Sequence, residues 1–181
     1  SGVTPLLFST ATVQTQLTLN ATTIPGTSTV PVGDSLVLVS GSPTMTLVNN
    51  GRLVLMGTPT VTGPVTTGLT SVIEVRGSAA YSTANATITS GFTNNGTITL
   101  TDINAAYGSS LTVPTGTLVN AATGTITTLV GAGGVRTLAA VLDNQGTVAV
   151  PQALTLSRAS AAHVNSGTIT VTGGTFTVSQ S

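Results

Sequence analysis

The sequence predicts an all-β solenoid, in which each turn of the chain supplies about three short strands to a stacked coil. Three observations support this prediction. A short phrase ending in glycine recurs along the chain, apolar and polar residues alternate after each copy, and Val, Ile and Thr are abundant. β-Branched residues suit a pleated strand. A repeat of about 20 residues built from strands and turns is typical of solenoids.

The repeated phrase is an asparagine followed two residues later by glycine. It occurs at residues 49–51, 94–96, 144–146 and 165–167, and a looser copy occupies residues 120–124. The glycines lie 45, 28, 22 and 21 residues apart, so the first gap has room for two turns. The sequence therefore predicts one repeating unit along most of the chain.

The strand after each glycine alternates between apolar and polar residues. Side chains two positions apart share one face of a strand, so the apolar columns are expected to point inward. They are Leu53, Ile98, Ile126, Val148 and Ile169, and then Leu55, Leu100, Val150 and Val171. A further strand in each turn is predicted at Leu36/Leu38, Ile73/Val75, Leu111/Val113, Leu154/Leu156 and Phe176/Val178. The result is a triangular coil of about seven or eight turns, spaced by ~4.8 Å.

The asparagine of each phrase has inward parity at a corner of the coil. We expect its side-chain amide to bond to the asparagine of the next turn, forming a ladder through the stack. The following glycine is expected to give the backbone freedom that the corner needs. The predicted ladder and corner residues are Asn49, Asn94, Asn120, Asn144 and Asn165, with Gly51, Gly96, Gly124, Gly146 and Gly167.

Four segments depart from the repeat and are predicted to be loops or insertions. They are residues 58–68, 78–85, 104–110 and 131–134. Two of them contain the only tyrosines, Tyr81 and Tyr107, in the phrase Ala-Ala-Tyr. Loops at the corners of repeat proteins often carry binding surface, so these tyrosines are the predicted ligand contacts.

Composition narrows the class of function. The 181 residues are predicted to form a single domain, residues 1–181, with four arginines, four acidic residues, no lysine, no cysteine and zero net charge. Nucleic acids and anionic membranes attract basic patches, which this chain lacks. Without cysteine there is no disulfide or thiolate chemistry, and no apolar run reaches membrane-spanning length. We expect no cofactor and no metal.

The asparagine–glycine phrases, such as residues 94–100 (Asn-Asn-Gly-Thr-Ile-Thr-Leu), resemble the repeats of right-handed parallel β-helices in bacterial surface proteins. The most similar groups are filamentous-haemagglutinin-type adhesins and the passengers of autotransporters. The resemblance covers residues 17–178. It implies a secreted or cell-surface protein with a role in adhesion or in an extracellular matrix. The same fold also carries polysaccharide lyases and phage tailspikes.

An enzyme of the lyase or tailspike kind is therefore an alternative. Such chemistry requires carboxylates close together, either to flank a glycosidic bond or to hold calcium. The four acids fall at different points of the coil, and Asp102 and Asp143 are the residues to test. Surface ion pairs, such as Arg52 with Glu74 on adjacent turns, are the simpler expectation for most charges. We therefore expect no enzymatic activity.

Ice binding is a second alternative, because a flat array of threonines can order water. The outward positions of the repeat include Thr97, Thr99, Thr125, Thr127, Thr168 and Thr170. The array is interrupted, since Arg52, Val54 and Ala149 occupy equivalent positions. Threonine is also a common solvent-facing strand residue.

The single histidine, His163, aligns with the inward column of Leu47, Phe92, Leu118 and Leu142. We expect a neutral, hydrogen-bonded imidazole near the C-terminal end, because one histidine without other ligands makes no metal site. The strands run almost to residue 181 with no capping helix. We expect either a fragment of a larger surface protein or a subunit whose uncapped ends pair into a fibre.

These inferences favour a non-enzymatic, extracellular stalk, adhesin segment or fibre unit. Its expected partners are further copies of itself end to end, the rest of a larger surface protein, or a glycan or matrix component. Nucleic-acid binding and membrane insertion are not expected.

Overall fold

The computed structural model describes residues 16–20, 26–104, 106–129, 131 and 133–180. This part of the chain is all-β and forms a parallel β-solenoid of about 7 turns, as predicted. It contains no helix long and apolar enough to cross a membrane.

Nineteen strands account for the described secondary structure. In chain order they are β1 (Gln16–Asn20), β2 (Thr27–Val30), β3 (Ser35–Val39), β4 (Thr46–Asn49), β5 (Arg52–Met56), β6 (Thr60–Val61), β7 (Val65–Thr67), β8 (Val72–Gly77), β9 (Ala84–Ile88), β10 (Thr93–Asn94), β11 (Thr97–Asp102), β12 (Ser109–Asn120), β13 (Thr125–Thr128), β14 (Arg136–Asn144), β15 (Thr147–Val150), β16 (Leu154–Ser157), β17 (Val164–Asn165), β18 (Thr168–Val171) and β19 (Phe176–Ser179).

The strands stack into three parallel sheets, one on each side of the coil. Sheet 1 has the order β1-β3-β5-β8-β11-β13-β15-β18, and sheet 2 has the order β6-β9-β12-β14-β16-β19. Sheet 3 begins as β2-β4-β7. Its side of the coil continues through the ends of β12 and β14, which pair with β10 and β17.

The interior is filled by the apolar columns that the sequence predicts. In sheet 1, Leu53, Ile73 and Ile98 are in register on β5, β8 and β11, and all three are fully buried. Leu111 and Leu138 are in register in sheet 2 and are also buried. Burial of an aliphatic side chain contributes ~1.5–3 kcal/mol, so this continuous core holds the stack together.

Two predictions about the first turns were wrong. Leu36/Leu38 and Ile73/Val75 lie in sheet 1, in register with Leu53/Leu55, and not on a second side of the coil. Residues 58–68 form no insertion, because they contain β6 and β7. In both regions the corner lacks the Asn-x-Gly phrase. The sequence therefore offered no marker for aligning these turns with the later ones. Of the other predicted insertions, residues 78–83, 104, 106–108, 131 and 133–134 lie outside the strands, between sheets 1 and 2. Residues 84–85 and 109–110 were wrongly included, because they belong to β9 and β12.

The outer side of sheet 1 is covered over its first turns. Val37, Val39, Val54 and Met56 point away from the interior yet are at most 9% exposed, and they form a second apolar cluster. These four outward positions are therefore not solvent-facing, whereas Arg52, at the start of β5, remains exposed.

Candidate functional site

An asparagine ladder runs through the later turns at the corner between sheets 3 and 1. Asn94 Nδ2 donates to Asn120 Oδ1 at 2.8 Å, Asn120 Nδ2 to Asn144 Oδ1 at 2.7 Å, and Asn144 Nδ2 to Asn165 Oδ1 at 2.6 Å. Asn94, Asn120 and Asn144 are completely buried. Buried amides are costly unless bonded, so the ladder fixes the register of successive turns.

Asn49 does not join the ladder, contrary to the prediction. Thr67 occupies the turn between Asn49 and Asn94, and its hydroxyl donates to the carbonyl of Thr93 at 2.9 Å. Asn49 Nδ2 donates instead to the carbonyl of Val72 at 3.1 Å. The Oδ1 atoms of Asn49 and Asn94 are buried and have no hydrogen-bond partner in the described residues.

The corner glycines are required for a different reason from the one predicted. Gly51, Gly96, Gly124, Gly146 and Gly167 do not have positive φ, so the corner does not use their backbone freedom. A Cβ at each position would lie 2.1–2.4 Å from a carbonyl oxygen of the turn below. Glycine is needed because consecutive turns approach each other there, main chain to main chain.

An ionic cluster lies on the outer side of sheet 1. Arg52 Nε donates to Glu74 Oε2 at 2.9 Å, which confirms the predicted pair, and Arg76 Nε donates to Glu74 Oε1 at 2.5 Å. Burial alone would raise the pKa of Glu74, but the hydrogen bonds and charges of Arg76 and Arg52 outweigh it. The pKa of Glu74, which is only 5% exposed, therefore lies below its usual range, and the carboxylate stays ionised to a lower pH.

A second charged group is buried, which the sequence interpretation missed. Arg136 is 2% exposed and points inward beside Ser109 and Leu154. Its guanidinium donates to the carbonyls of Gly134 at 2.6 Å, of Gly133, and of Leu129 at 3.3 Å. Burial lowers the pKa of Arg136, and the charge of Asp102 partly offsets this. Arg136 thus anchors the main chain at Leu129, Gly133 and Gly134, so a surface ion pair was the wrong expectation for this residue. Its parity with Leu138 was the available signal.

The two acids chosen to test an enzyme are placed at different corners. Asp102 ends β11, next to sheet 2, and is 2% exposed. Asp143 lies near the end of β14, where its Oδ2 accepts a hydrogen bond from Gln145 at 2.8 Å. The described residues hold no group of three or more His, Cys, Asp or Glu side chains suited to a metal.

The predicted threonine face lies on the outer side of sheet 1 but is not uniformly exposed. Thr99 is 6% exposed and is in register with Glu74, whose column continues to Val54. Thr97, Thr125 and Thr127 are half-buried, and only Thr168 and Thr170 in the last turn are exposed. The prediction of an exposed hydroxyl was therefore wrong for Thr99, because this part of the sheet is covered.

The two tyrosines lie in adjacent loops on the corner between sheets 1 and 2. Tyr81 is 42% exposed, whereas Tyr107 is half-buried. The loops are bonded to each other, since the Ala79 amide donates to Asn104 Oδ1 at 2.8 Å. The main chain at Tyr107 is also held close to Gly134, since a Cβ there would lie 2.3 Å from the Tyr107 carbonyl oxygen. Tyr81 is the more accessible of the two predicted contacts.

His163 points inward at the last turn, where a cavity of about 160 Å³ opens. The Leu142 amide donates to His163 Nδ1 at 3.2 Å, so the neutral ring carries its proton on Nε2. Nε2 is buried and has no partner among the described residues. Burial lowers the pKa of His163, and no lining side chain of the cavity is charged apart from this imidazole when protonated.

Protonation of His163 is expected to loosen the last turn. The pKa of His163 in the folded chain lies below its unfolded value of about 6.5. The stability that the neutral imidazole contributes is therefore complete above about pH 6.5 and is lost as the pH falls through the folded pKa. A protonated Nδ1 can no longer accept the Leu142 amide. Hydrogen exchange of residues 164–179, corrected for intrinsic rates, should show less protection at pH 5 than at pH 7.5.

His163→Leu is the control for this pH effect, because leucine occupies the same column at positions 118 and 142. Protection of residues 164–179 in this variant should not change between the two pH values. An equal loss of protection at pH 5 in the variant would contradict the role of His163.

Comparison with known protein families, with curated proteins and with solved structures found no match to this chain.

Proposed function

We propose that this chain is a non-enzymatic structural unit of an extracellular or cell-surface assembly, a solenoid rod that extends by adding further turns at its end. The main support for this proposal is that the inward side chains of the last turn are exposed, whereas those of the turn below it are buried. Val148 and Val150 are 1% and 0% exposed, whereas their counterparts in register, Ile169 and Val171, are 36% and 49% exposed. The interior surface is thus open at β17–β19.

The open end offers the same groups that join successive turns inside the rod, namely strand edges and a ladder asparagine. Strands β17, β18 and β19 are the last of their sides, and their outer edges have backbone groups available for pairing. Asn165 ends the ladder, and among the described residues its Nδ2 donates to the carbonyl of Gly167 alone, at 3.4 Å. A further parallel turn would bond to this amide and bury the exposed column.

Assembly between copies would be head to tail, which does not close and so produces a fibre. About seven turns at ~4.8 Å give each unit a length of about 34 Å. The rod supplies length and resistance to unfolding, while its loops and corners are available to a glycan or matrix component. A continuous larger surface protein would use the same end surface within one chain.

Electron microscopy over a concentration series, with light scattering for mass, tests this assembly. We expect unbranched fibres of even width from the native chain, and none from Val171→Lys, since a buried unpaired charge would block stacking. Val119→Lys is the matched control, because Val119 points outward in the middle of the rod. Monodisperse rods at every concentration, or fibres that survive Val171→Lys, would contradict self-assembly.

A further inference from the structure

Beyond the structural role, we propose that a cleft at the corner between sheets 3 and 1 binds a neutral monosaccharide unit of a glycan. The cleft has a volume of about 190 Å³ and is built by three consecutive turns. Its principal lining residues are Val32, Ser35, Asn50, Arg52, Thr70 and Val72.

Two polar side chains of this cleft, Asn50 and Arg52, keep hydrogen-bonding capacity that the described fold does not use. The hydrogen bonds of Asn50 within the described residues are made by its backbone, which leaves its side-chain amide for a ligand. Arg52 donates to Glu74 through Nε and Nη2, and among the described residues Nη1 has no acceptor. The ion pair also holds the guanidinium in place.

The Asn50 amide is positioned by the next turn. A Cβ at Gly68 would lie 2.5 Å from Asn50 Oδ1, so the amide packs into the space that the glycine leaves. The hydroxyl of Thr70 donates to the carbonyl of Asn50 at 3.2 Å and ties the two turns together. The site is thus largely formed before a ligand arrives.

The chemistry of the lining fits a sugar ring. Amide and hydroxyl side chains both donate and accept hydrogen bonds, as each hydroxyl of a vicinal diol does. Val32 and Val72 offer apolar walls to the C–H face of a ring, and Val32 is 71% exposed. The lining carries one charge of each sign, on Arg52 and Asp34, and Arg52 is also paired with Glu74, which favours a neutral ligand.

The size of the cleft limits the ligand to one ring. Pockets for drug-sized ligands usually measure about 300–1,000 Å³, and this cleft is smaller. A longer glycan would therefore place one residue in the cleft and extend along the corner, where Leu69 is 72% exposed.

Saturation-transfer NMR on the full chain tests the site, with the methyl glycosides of glucose, galactose, mannose and N-acetylglucosamine as separate probes. We expect transfer to at least one neutral sugar and an affinity about fivefold or more weaker in Asn50→Leu, from the lost hydrogen bonds. Ser35→Ala, a smaller change, should weaken binding in the same direction and guards against misfolding of the first variant.

Gln145→Leu is the matched control, because Gln145 precedes Gly146 as Asn50 precedes Gly51 and is exposed on a distant turn. It should bind as the native chain does. The proposal is overturned if no neutral sugar receives transfer, if Asn50→Leu and Gln145→Leu lose binding equally, or if glucuronate is preferred over every neutral probe.

Discussion

Asn120→Ala is expected to destabilise the rod by about 3–5 kcal/mol, since each buried polar group left without a partner costs ~1–3 kcal/mol. Asn120 is in the middle of the ladder, where it accepts from Asn94 and donates to Asn144. Its amide also donates to the carbonyls of Gly124 at 3.3 Å and Thr147 at 3.1 Å. Urea unfolding followed by circular dichroism measures the loss.

Asn165→Ala provides the control for the ladder. Asn165 accepts from Asn144 but is exposed, so water can replace the lost bond. We expect a loss of about 1 kcal/mol or less. Equal losses in Asn120→Ala and Asn165→Ala would mean that the ladder does not hold the turns in register.

Gly146→Ala is expected to cost about 3 kcal/mol through overpacking. The added Cβ would lie 2.2 Å from the carbonyl oxygen of Ala121 and 2.3 Å from that of Gly124. Both atoms belong to the main chain, so no side-chain rotation relieves the contact. The turns above and below must separate, and the midpoint of thermal unfolding should fall accordingly.

Gly108→Ala is a matched change at a glycine that also lacks positive φ. The nearest atom to its added Cβ is the carbonyl oxygen of Val135 at 3.2 Å, which a small shift accommodates. We expect a loss well below that of Gly146→Ala. A tolerated Gly146→Ala would show that the corners do not set the spacing between turns.

Most of the architecture could be predicted from the sequence because each later turn repeats its own signal. From Asn94 onward the asparagine, glycine and alternating apolar residues mark the same corner in every turn. The earlier turns replace the asparagine with Val30 and Thr67, which are in register with Asn49. Valine and threonine fit this column, but they are common throughout the chain and do not mark a corner. The strands of those turns were therefore assigned to the wrong side of the coil.

The sites were harder to predict because they depend on contacts between turns. Asn50, Arg52 and Thr70 converge only when residues about one turn apart are stacked. The burial of Glu74 and Thr99 depends on what covers the outer side of sheet 1, which alternation within a strand does not report. Arg136 lies two residues before Leu138, and this alternation places its side chain on the inward face of the strand. Its charge, however, suggested a position in solvent.

The close approach of main chains at the glycine corner has a mechanical consequence. Along that edge the turns touch through backbone atoms, which compress little, and amide bonds tie them together from Asn94 to Asn165. Along the corner between sheets 1 and 2, loops of different length separate the sheets. The rod should therefore bend more readily about one axis than the other, with the glycine corner as the stiff edge and the loop corner as the side that opens.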